Sequence, residues 1–573
     1  MATMLAEAPD LMLTERTADG RARSAAIEAA RKVAARPTSA VSYRSTGALL
    51  VIGPEAEAVV AARRLHPRLR CTVVVHEDAP EKGRGGVRTR GETAPAPEFP
   101  VLYEKVVQLT GHLGQYAVVV SAPPPLGGVN LLQKLGSQRT HFDLVLDLTD
   151  PPFLRHELLP VGYYAPRGDA AVLERALAEL PEMVGEFEKP RFYSYNPDIC
   201  AHGAAGLTGC TRCIDACPAS AIVSVGEDVA VDPYLCQGAG VCASVCPTGA
   251  MTYRYPSVAD QLDRLAALIK TYRAAGGARP LILLHDAETG RTHAAALADR
   301  LPERVIPFEL AELGSLGMEA WLAALAYGAE ALRLLPTAAT PPGVRAVVAE
   351  QCAYAGAILD GMGYSAALVA LLEGDDAAVI AALRSEVAKP DIPPAAFAGV
   401  DEKRTLLRLG IEHLYAHAPV RREVVALPEG APFGEIRVDR AACTLCMACV
   451  GVCPASALLD GGDLPQLNFI EGNCVQCGLC ERACPEDAIG LTPRYLYNPE
   501  GRRATRVLNE ETPFHCVACG KPFATRKMMD RMTAKLQGHW MYQAPEALRR
   551  IQMCGDCRVR DVFRAEAKRP GGL

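Results

Sequence analysis

The apolar positions of this chain fall into two alternating blocks. Ala48-Leu49-Leu50-Val51-Ile52-Gly53 is a continuous apolar run that ends at a Gly-Pro turn, a helical pattern follows, and a second run begins at Cys71-Thr72-Val73-Val74-Val75-His76. Runs this short, bounded by turn residues and separated by helical periodicity, predict buried strands in a βαβ start. Runs at 117–120 and 144–148 extend the pattern into an α/β layer over residues 43–195. A second block opens at Ser257 and Asp260, which are spaced for a capping box. Leu262, Leu265, Leu268, Ile269 and Tyr272 then recur at helical spacing. Leu281–Leu284 and Val305–Phe308 read as strands, and Met318–Leu335 and Val344–Leu359 read as helices, giving another α/β unit over 257–400. Residues 1–42 read as a helical or disordered leader, and 401–434 as a helix and connector.

Between and after these units the pattern is set by cysteine. Cys443, Cys446, Cys449, Cys453-Pro454 and Cys474, Cys477, Cys480, Cys484-Pro485 both follow C-x2-C-x2-C-x3-C-P, the ligand spacing of a two-cluster bacterial ferredoxin. Thiolates are soft, anionic ligands that suit iron in a tetrahedral sulfur field. The three close cysteines of each half wrap one cluster, and the fourth ligates the other. Residues 435–495 are therefore expected to hold two [4Fe-4S] clusters. A zinc-binding region is the bland alternative, but complete halves at this spacing argue against it.

Residues 196–256 repeat the module with departures. Cys-Thr-Arg-Cys213 and Cys217-Pro218-Ala219-Ser220 parallel Cys-Thr-Leu-Cys446 and Cys453-Pro454-Ala455-Ser456. Leu207 stands where the leading cysteine belongs, and Cys200 lies upstream in a context like that of Cys236, so Cys200 reads as the displaced first ligand. The intervening insertion contains Gly203, Gly206 and Gly209, which free the chain to fold back. The other half has Cys236, Cys242 and Cys246-Pro247, with Ala239 in the remaining ligand position. Ligand exchange then predicts one [4Fe-4S] site of Cys200, Cys210, Cys213 and Cys246, and a three-thiolate site of Cys217, Cys236 and Cys242. The latter suits a [3Fe-4S] cluster, with a completed or labile [4Fe-4S] cluster and an empty site as the alternatives.

At the C-terminus, Cys516-x2-Cys519 and Cys554-x2-Cys557 form two knuckles able to close a tetrahedral shell for structural Zn2+ within 496–573. A rubredoxin-like iron site is the alternative, and His515 reads as a flanking residue. The spacer predicts a helix over Arg526–Leu536. Arg502, Arg503, Arg506, Arg526, Lys527, Arg531 and Lys535 make the region locally basic, which reads as a solvated surface with a protein contact as the functional alternative.

Composition narrows the class. The 573 residues exceed one hydrophobic core. Hydrophobic content is 49%, charged content 22% and net charge -6, which fits globular domains and speaks against nucleic-acid binding. With 21 cysteines in ligand clusters, no apolar run long enough to span a membrane and no apolar signal core, the expectation is a cytoplasmic metalloprotein rather than a disulfide scaffold. Gly53-Pro54-Glu55 lacks the G-x-G-x-x-G pattern of a dinucleotide loop. Lys82, Arg84, Arg88 and Arg90 form a basic, glycine-bearing loop that reads as solvated. Cys71 and Cys352 read as small buried hydrophobes.

Residues 435–495 closely resemble dicluster 4Fe-4S ferredoxin domains, and 196–256 resemble them with the departures given. Residues 276–375, through Arg279-Pro280-Leu281-Ile282-Leu283-Leu284 and Ala323–Ala331, resemble the delta-subunit domain of hydrogenase and heterodisulfide reductase systems. That domain's own cluster cysteines are absent here, so the resemblance implies docking. The architecture is also similar in general outline to iron–sulfur proteins accompanying bacterial formate dehydrogenases. The fold class expected is multidomain α/β and α+β, with two dicluster modules, two α/β domains and a zinc-ribbon-like end. The expected function is single-electron relay between redox proteins, a formate dehydrogenase or related oxidoreductase among them, with no residue that nominates a catalytic pocket. A flavin- or NAD(P)-linked oxidoreductase subunit and a non-catalytic assembly or sensing factor are the rival readings.

Overall fold

The computed structural model describes residues 13–76, 97–123, 127–387, 390–462 and 464–567. The strands Ala48–Gly53 and Arg70–Val75 lie parallel in a sheet whose order is Val101–Tyr103, Arg70–Val75, Ala48–Gly53, Leu144–Asp147, Tyr163–Tyr164. Leu49, Leu50, Val51 and Ile52 are all fully buried, which is why both faces of this strand are apolar. The run at 117–120 is a strand, but it leaves the parallel sheet. Ala117–Ser121 is the middle strand of a separate antiparallel sheet between Val106–Thr110 and Gly128–Asn130. The basic loop of Lys82, Arg84, Arg88 and Arg90 lies outside the described residues.

The second α/β unit is a parallel sheet of order Val305–Leu310, Leu281–Asp286, Ala331–Leu335, Val369–Leu371. Ser257 accepts the Asp260 amide and the Asp260 carboxylate accepts the Ser257 amide, so the capping box starts the helix Val258–Ala274. Leu265, Leu268, Ile269 and Tyr272 form its buried face. The segment read as one helix over 318–335 divides in two. The helix is Met318–Ala326, Gly328 turns at φ 110°, and Ala331–Leu335 becomes a central strand. Every residue from Met318 to Leu335 is buried, so no polar face marks the change of period.

The leader contains the helix Ala18–Arg31, which packs along Val258–Ala274. Glu303 tethers its start by accepting the amides of Arg16 and Thr17 at 2.9 and 2.6 Å. Asp19 accepts the Tyr272 hydroxyl at 2.8 Å.

Both cysteine-rich modules repeat one plan. Tyr193–Tyr195 pairs with Met251–Tyr253 as Gly434–Val438 pairs with Ile489–Leu496, and the hairpin Ile222–Val225/Asp228–Val231 corresponds to Leu458–Gly461/Leu464–Phe469. Short helices stand at Arg212–Asp215 and Val241–Val245 in one module, and at Ala448–Gly451 and Leu479–Arg482 in the other. The helix Lys403–Ala416 packs against Met318–Ala326, with Gly410 allowing close approach to Leu322 and Ala323. The second α/β unit therefore presents one side inward, as the bed on which both modules rest.

The Glu303 tether generates a pH prediction. Hydrogen bonds from Thr17 and the Arg16 amide hold its carboxyl down at about 2. A folded value below the unfolded one gives stabilisation that is present above the ordinary carboxylate range and lost as pH falls toward 2. Hydrogen-exchange protection factors in 14–31 should therefore fall on acidification before those in 262–272 do, and Glu303→Gln should flatten that response. An equal fall in both segments would contradict the tether.

Candidate metal centres

Each Cys-Pro pair closes its loop in the same way. Ser220, Ser456 and Asp487, third after Cys217, Cys453 and Cys484, are left-handed with φ of 48°. Gly249 occupies the same place after Cys246 at φ 84°. Glycine enters this region freely and short polar residues do so at modest cost. The turn aims a following amide back at the sulfur. Ala221, Ala457 and Ala488 donate to Sγ of Cys217, Cys453 and Cys484 at 3.3 Å, and Met251 donates to Sγ of Cys246 at 3.4 Å. Such bonds favour thiolate and are among the levers on cluster potential. The pattern Cys-Pro-x-(Ser, Asp or Gly) was the available sequence signal for these four turns.

In the second module the chain sorts its cysteines by exchange between halves. Cys443, Cys446, Cys449 and Cys484 line one cavity, and Cys453, Cys474, Cys477 and Cys480 line another. Left-handed Leu445 and Met447 in one loop, and Gln476 and Gly478 in the other, curl the backbone around these cavities. Gln476 also donates its side-chain amide to Cys474 Sγ at 3.3 Å. Burial, followed by repulsion from Cys443 and Cys446, pushes Cys449 up to about 12. Burial likewise raises Cys474, Cys477 and Cys480. Sulfurs so placed ionise when a cationic centre binds, which is the behaviour of a metal cradle rather than of a nucleophilic thiol.

In the first module, Cys200 is brought to Cys210 by a hairpin. Gly203–Ala204 pairs with Leu207–Thr208 across a two-residue turn in which Ala205 and Gly206 both have positive φ, of 51° and 75°. That is the turn whose twist matches paired strands. The Cys210 amide then donates to the Ala201 carbonyl at 2.9 Å. Cys213 is pushed up to about 12 by burial and by Cys246, Cys210 and Cys200. Cys242 is raised by burial and by Cys236 and Cys217. The two sets are neighbours, since Cys213 also acts on Cys242. Around Ala239, Gly238 and Gly240 have φ of 82° and 78°, close to the 82° of Gly478 in the intact loop. The loop thus keeps the cradling backbone and lacks only the thiol. Ala239 is buried beneath Leu313–Ser315 of the second α/β unit.

At the C-terminus, the sulfurs of Cys516, Cys519, Cys554 and Cys557 lie within 4.8 Å of one another, and those of Cys519 and Cys554 are 3.7 Å apart. Burial opposes ionisation of Cys516, but the amides of Cys554, Ala518 and Cys519 draw it down to about 6. His515 is exposed and outside this group. The helix Arg526–Leu536 is present.

Arg503, Arg506, Arg526 and Lys535 are exposed, as a solvated surface requires, whereas Arg502, Lys527 and Arg531 turn inward. Lys527 bonds the carbonyls of Ala441, Arg440 and Cys443, and Arg531 donates to Ala442 and pairs with Glu486 at 3.0 Å. Arg502 is buried and paired with Glu412, while Arg506 reaches Glu471 at 3.3 Å. Backbone carbonyls and carboxylates around the second module draw Arg502, Lys527 and Arg531 inward. Burial pushes the Cys71 and Cys352 thiols up to about 11 and about 12, which favours their neutral form. Gly53 packs closely on Leu148, where a Cβ would lie 2.7 Å from Leu148 Cβ, so a side chain would not fit at this strand end.

Three groups invisible to the motif reading connect these sites. Lys189 donates to the carbonyls of Tyr234 and Cys236 at 3.0 and 2.7 Å, with its ammonium 5.0 Å from the Tyr43 ring centroid. Lys403 donates to Ala243 and Ser244 at 2.7 and 2.6 Å. Arg404 donates to Pro247 in one module and to Gly472 and Cys474 in the other. The modules also touch directly. Arg482 bonds the Thr208 carbonyl, Gly209 abuts Leu479, and Cys477 contributes to the raised Cys210 value of about 11, after burial.

Residues 442–489 and residues 208–250 each match a 4Fe-4S dicluster domain family. Ferredoxin-1 of Caulobacter vibrioides is 44% identical over 50 residues, which is 8% of this chain and 42% of that ferredoxin. The chain carries two dicluster 4Fe-4S ferredoxin-like domains within a mixed α/β polypeptide, and these support an iron–sulfur electron-transfer role. Among the described residues no helix is long and apolar enough to cross a membrane.

The intermodule contact yields a stability test. A Cβ at Gly209 would lie 2.6 Å from Leu479 Cγ and 2.8 Å from the Ala201 carbonyl, whereas Gly451 has open space. Gly209→Ala should lower the guanidinium midpoint by the equivalent of about 1–3 kcal/mol, the range for overpacking, and Gly451→Ala should lower it less. The reverse order would contradict the packing described.

Proposed function

We propose that this protein relays single electrons between protein redox partners, with its cysteines grouped as five metal sites. Cys443, Cys446, Cys449 and Cys484 would hold one [4Fe-4S] cluster, and Cys453, Cys474, Cys477 and Cys480 a second. Cys200, Cys210, Cys213 and Cys246 would hold a third, and Cys217, Cys236 and Cys242 a [3Fe-4S] cluster. When bound, such clusters accept and release single electrons without a substrate pocket. The observation that carries the reading is the exchange of Cys453 and Cys484 between two cavities, each lined by sulfur from both halves of the module. The amides aimed at the four Cys-Pro sulfurs support the same ligand sets.

The C-terminal group would hold structural Zn2+. A tetrahedron with Zn–S bonds of about 2.3 Å has edges of about 3.8 Å, close to the 3.7 Å between Cys519 and Cys554. Four thiolates leave no open position, so this centre would fix Thr525 and Lys527 against the 443–446 loop rather than do chemistry. A formate dehydrogenase or a related oxidoreductase in the cytoplasm is the partner class the architecture resembles. The two α/β units would supply the docking faces.

The reading is tested on the full chain purified without oxygen, by iron, acid-labile sulfide and zinc analysis with EPR. Brown protein with sulfide close to iron, and an oxidised-state EPR signal of a three-iron centre, is the expected result. Colourless protein after reconstitution would overturn it. Ala239→Cys should add about one iron per chain and abolish that oxidised-state signal, because the loop already has the conformation that presents a fourth ligand. An unchanged signal would contradict the assignment of Ala239. Cys519→Ser should release about one zinc per chain while iron and sulfide stay constant. Loss of iron in step with zinc would instead make this an iron site.

A further inference from the structure

The helix Lys403–Ala416 begins with a buried positive charge. Arg404 is 6% exposed and lies between the two modules. Its guanidinium donates to the carbonyls of Pro247 and Pro432 at 3.1 and 3.2 Å, and to those of Gly472 and Cys474 at 3.2 and 3.1 Å. Its carbon centre is 5.0 Å from the Phe433 ring centroid. Its Nε is buried with no partner among the described residues. Among the described residues, every acceptor of this guanidinium is a backbone carbonyl. Buried charges are ordinarily paired with opposite charge, and the neighbouring Lys403 shows the usual solution, lying 3.7 Å from buried Glu319.

Arg404 shares its surroundings with Cys474, Glu402 and Glu471, and with the cations Arg408, Arg494 and Arg502, but among the described residues it alone bonds carbonyls at or next to cysteines of both modules. Pro247 follows Cys246, and Cys474 begins the loop that lines the facing cavity with Cys477 and Cys480. These two sets are the inner pair of the molecule, pressed together where Gly209 meets Leu479 and Arg482 meets Thr208. The outer sites have cations of their own. Lys189 donates to the Cys236 carbonyl and Lys527 to the Cys443 carbonyl. Arg404 differs from both in serving two sites from one position.

We propose that Arg404 is the shared counter-charge of the two inner cysteine sites, raising the affinity of both for an electron and joining the modules into one relay. The inference rests on the cluster assignment proposed above. Cluster potentials follow net charge, hydrogen bonding and burial, and a fixed cation in a low-dielectric interior acts on both sites with little screening. The planar, two-sided fork of Arg reaches carbonyls of both modules at once.

The experiment is an EPR-monitored redox titration of the cluster-loaded full chain, comparing wild type with Arg404→Gln and Arg404→Lys. Arg404→Gln should weaken electron affinity at two of the clusters by at least about tenfold, a shift of about 59 mV for one electron, and move the others less. Arg404→Lys keeps the charge and should hold both inner potentials within that tenfold. In wild type, reduction of both inner clusters should produce mutual spin broadening that either reduced alone lacks. Unchanged potentials in a loaded Arg404→Gln protein would overturn the inference and leave the electron-transfer reading standing. Should Arg404→Gln fail to load, a loaded Arg404→Lys protein with both inner potentials lowered tenfold would overturn it as well. Wild-type protein without iron and sulfide would overturn the underlying reading itself.

Discussion

Gathering negative sulfur in a low-dielectric interior is the constraint on which this architecture turns. Fifteen cysteines across the two modules carry no disulfide, and burial raises most of the thiols for which a shift is seen. Left alone, such groups stay protonated; iron supplies the charge that ionises them. The backbone prepares for that state in advance. Left-handed residues turn amides onto four of the sulfurs, and lysine and arginine side chains bond the carbonyls of the ligand loops.

The α/β units gain their meaning from the same constraint. The first packs Gly53 against Leu148, and the second, which carries a cavity of about 510 Å³ past the ends of its strands beside His293, Thr337 and Arg345, turns its Leu313–Ser315 segment and its helix Met318–Ala326 toward the modules. The first unit reaches the three-cysteine site through Lys189 and through Tyr43, whose hydroxyl donates to the Tyr234 carbonyl at 2.7 Å. The second covers Ala239 and seats the helix bearing Lys403 and Arg404. The C-terminal cysteine unit lies on the 443–446 loop at the other extreme. The result is a series of neighbouring cysteine sites, flanked at its ends by the α/β units and the C-terminal cysteine unit.

The parts of this arrangement legible in the sequence are those whose chemistry forces a local pattern. Ligand spacing, the Ser257–Asp260 capping box and the apolar strands at 48–53 and 281–284 all belong there. Cys200 could be read as a displaced ligand because the residues before it parallel those before Cys236 and the insertion after it carries Gly203, Gly206 and Gly209. The misreading of 318–335 came from burial on every side, which erases the polar face that separates helix from strand. Arg404, Lys403 and Lys189 were illegible for a different reason. Their importance lies in carbonyl groups contributed by segments far away in the chain, and a lone basic residue on an amphipathic helix or strand ordinarily faces solvent. The inward turn of Arg502, Lys527 and Arg531 escaped notice on the same ground.

The most direct measurement is the number of electrons the intact, cluster-loaded chain takes up in anaerobic coulometry. The account predicts one electron for each cysteine-lined site of the two modules, delivered to a single molecular species with interacting paramagnetic centres. Uptake limited to the sites of residues 435–495, with the first module redox-silent, would contradict the claim that both modules form one relay.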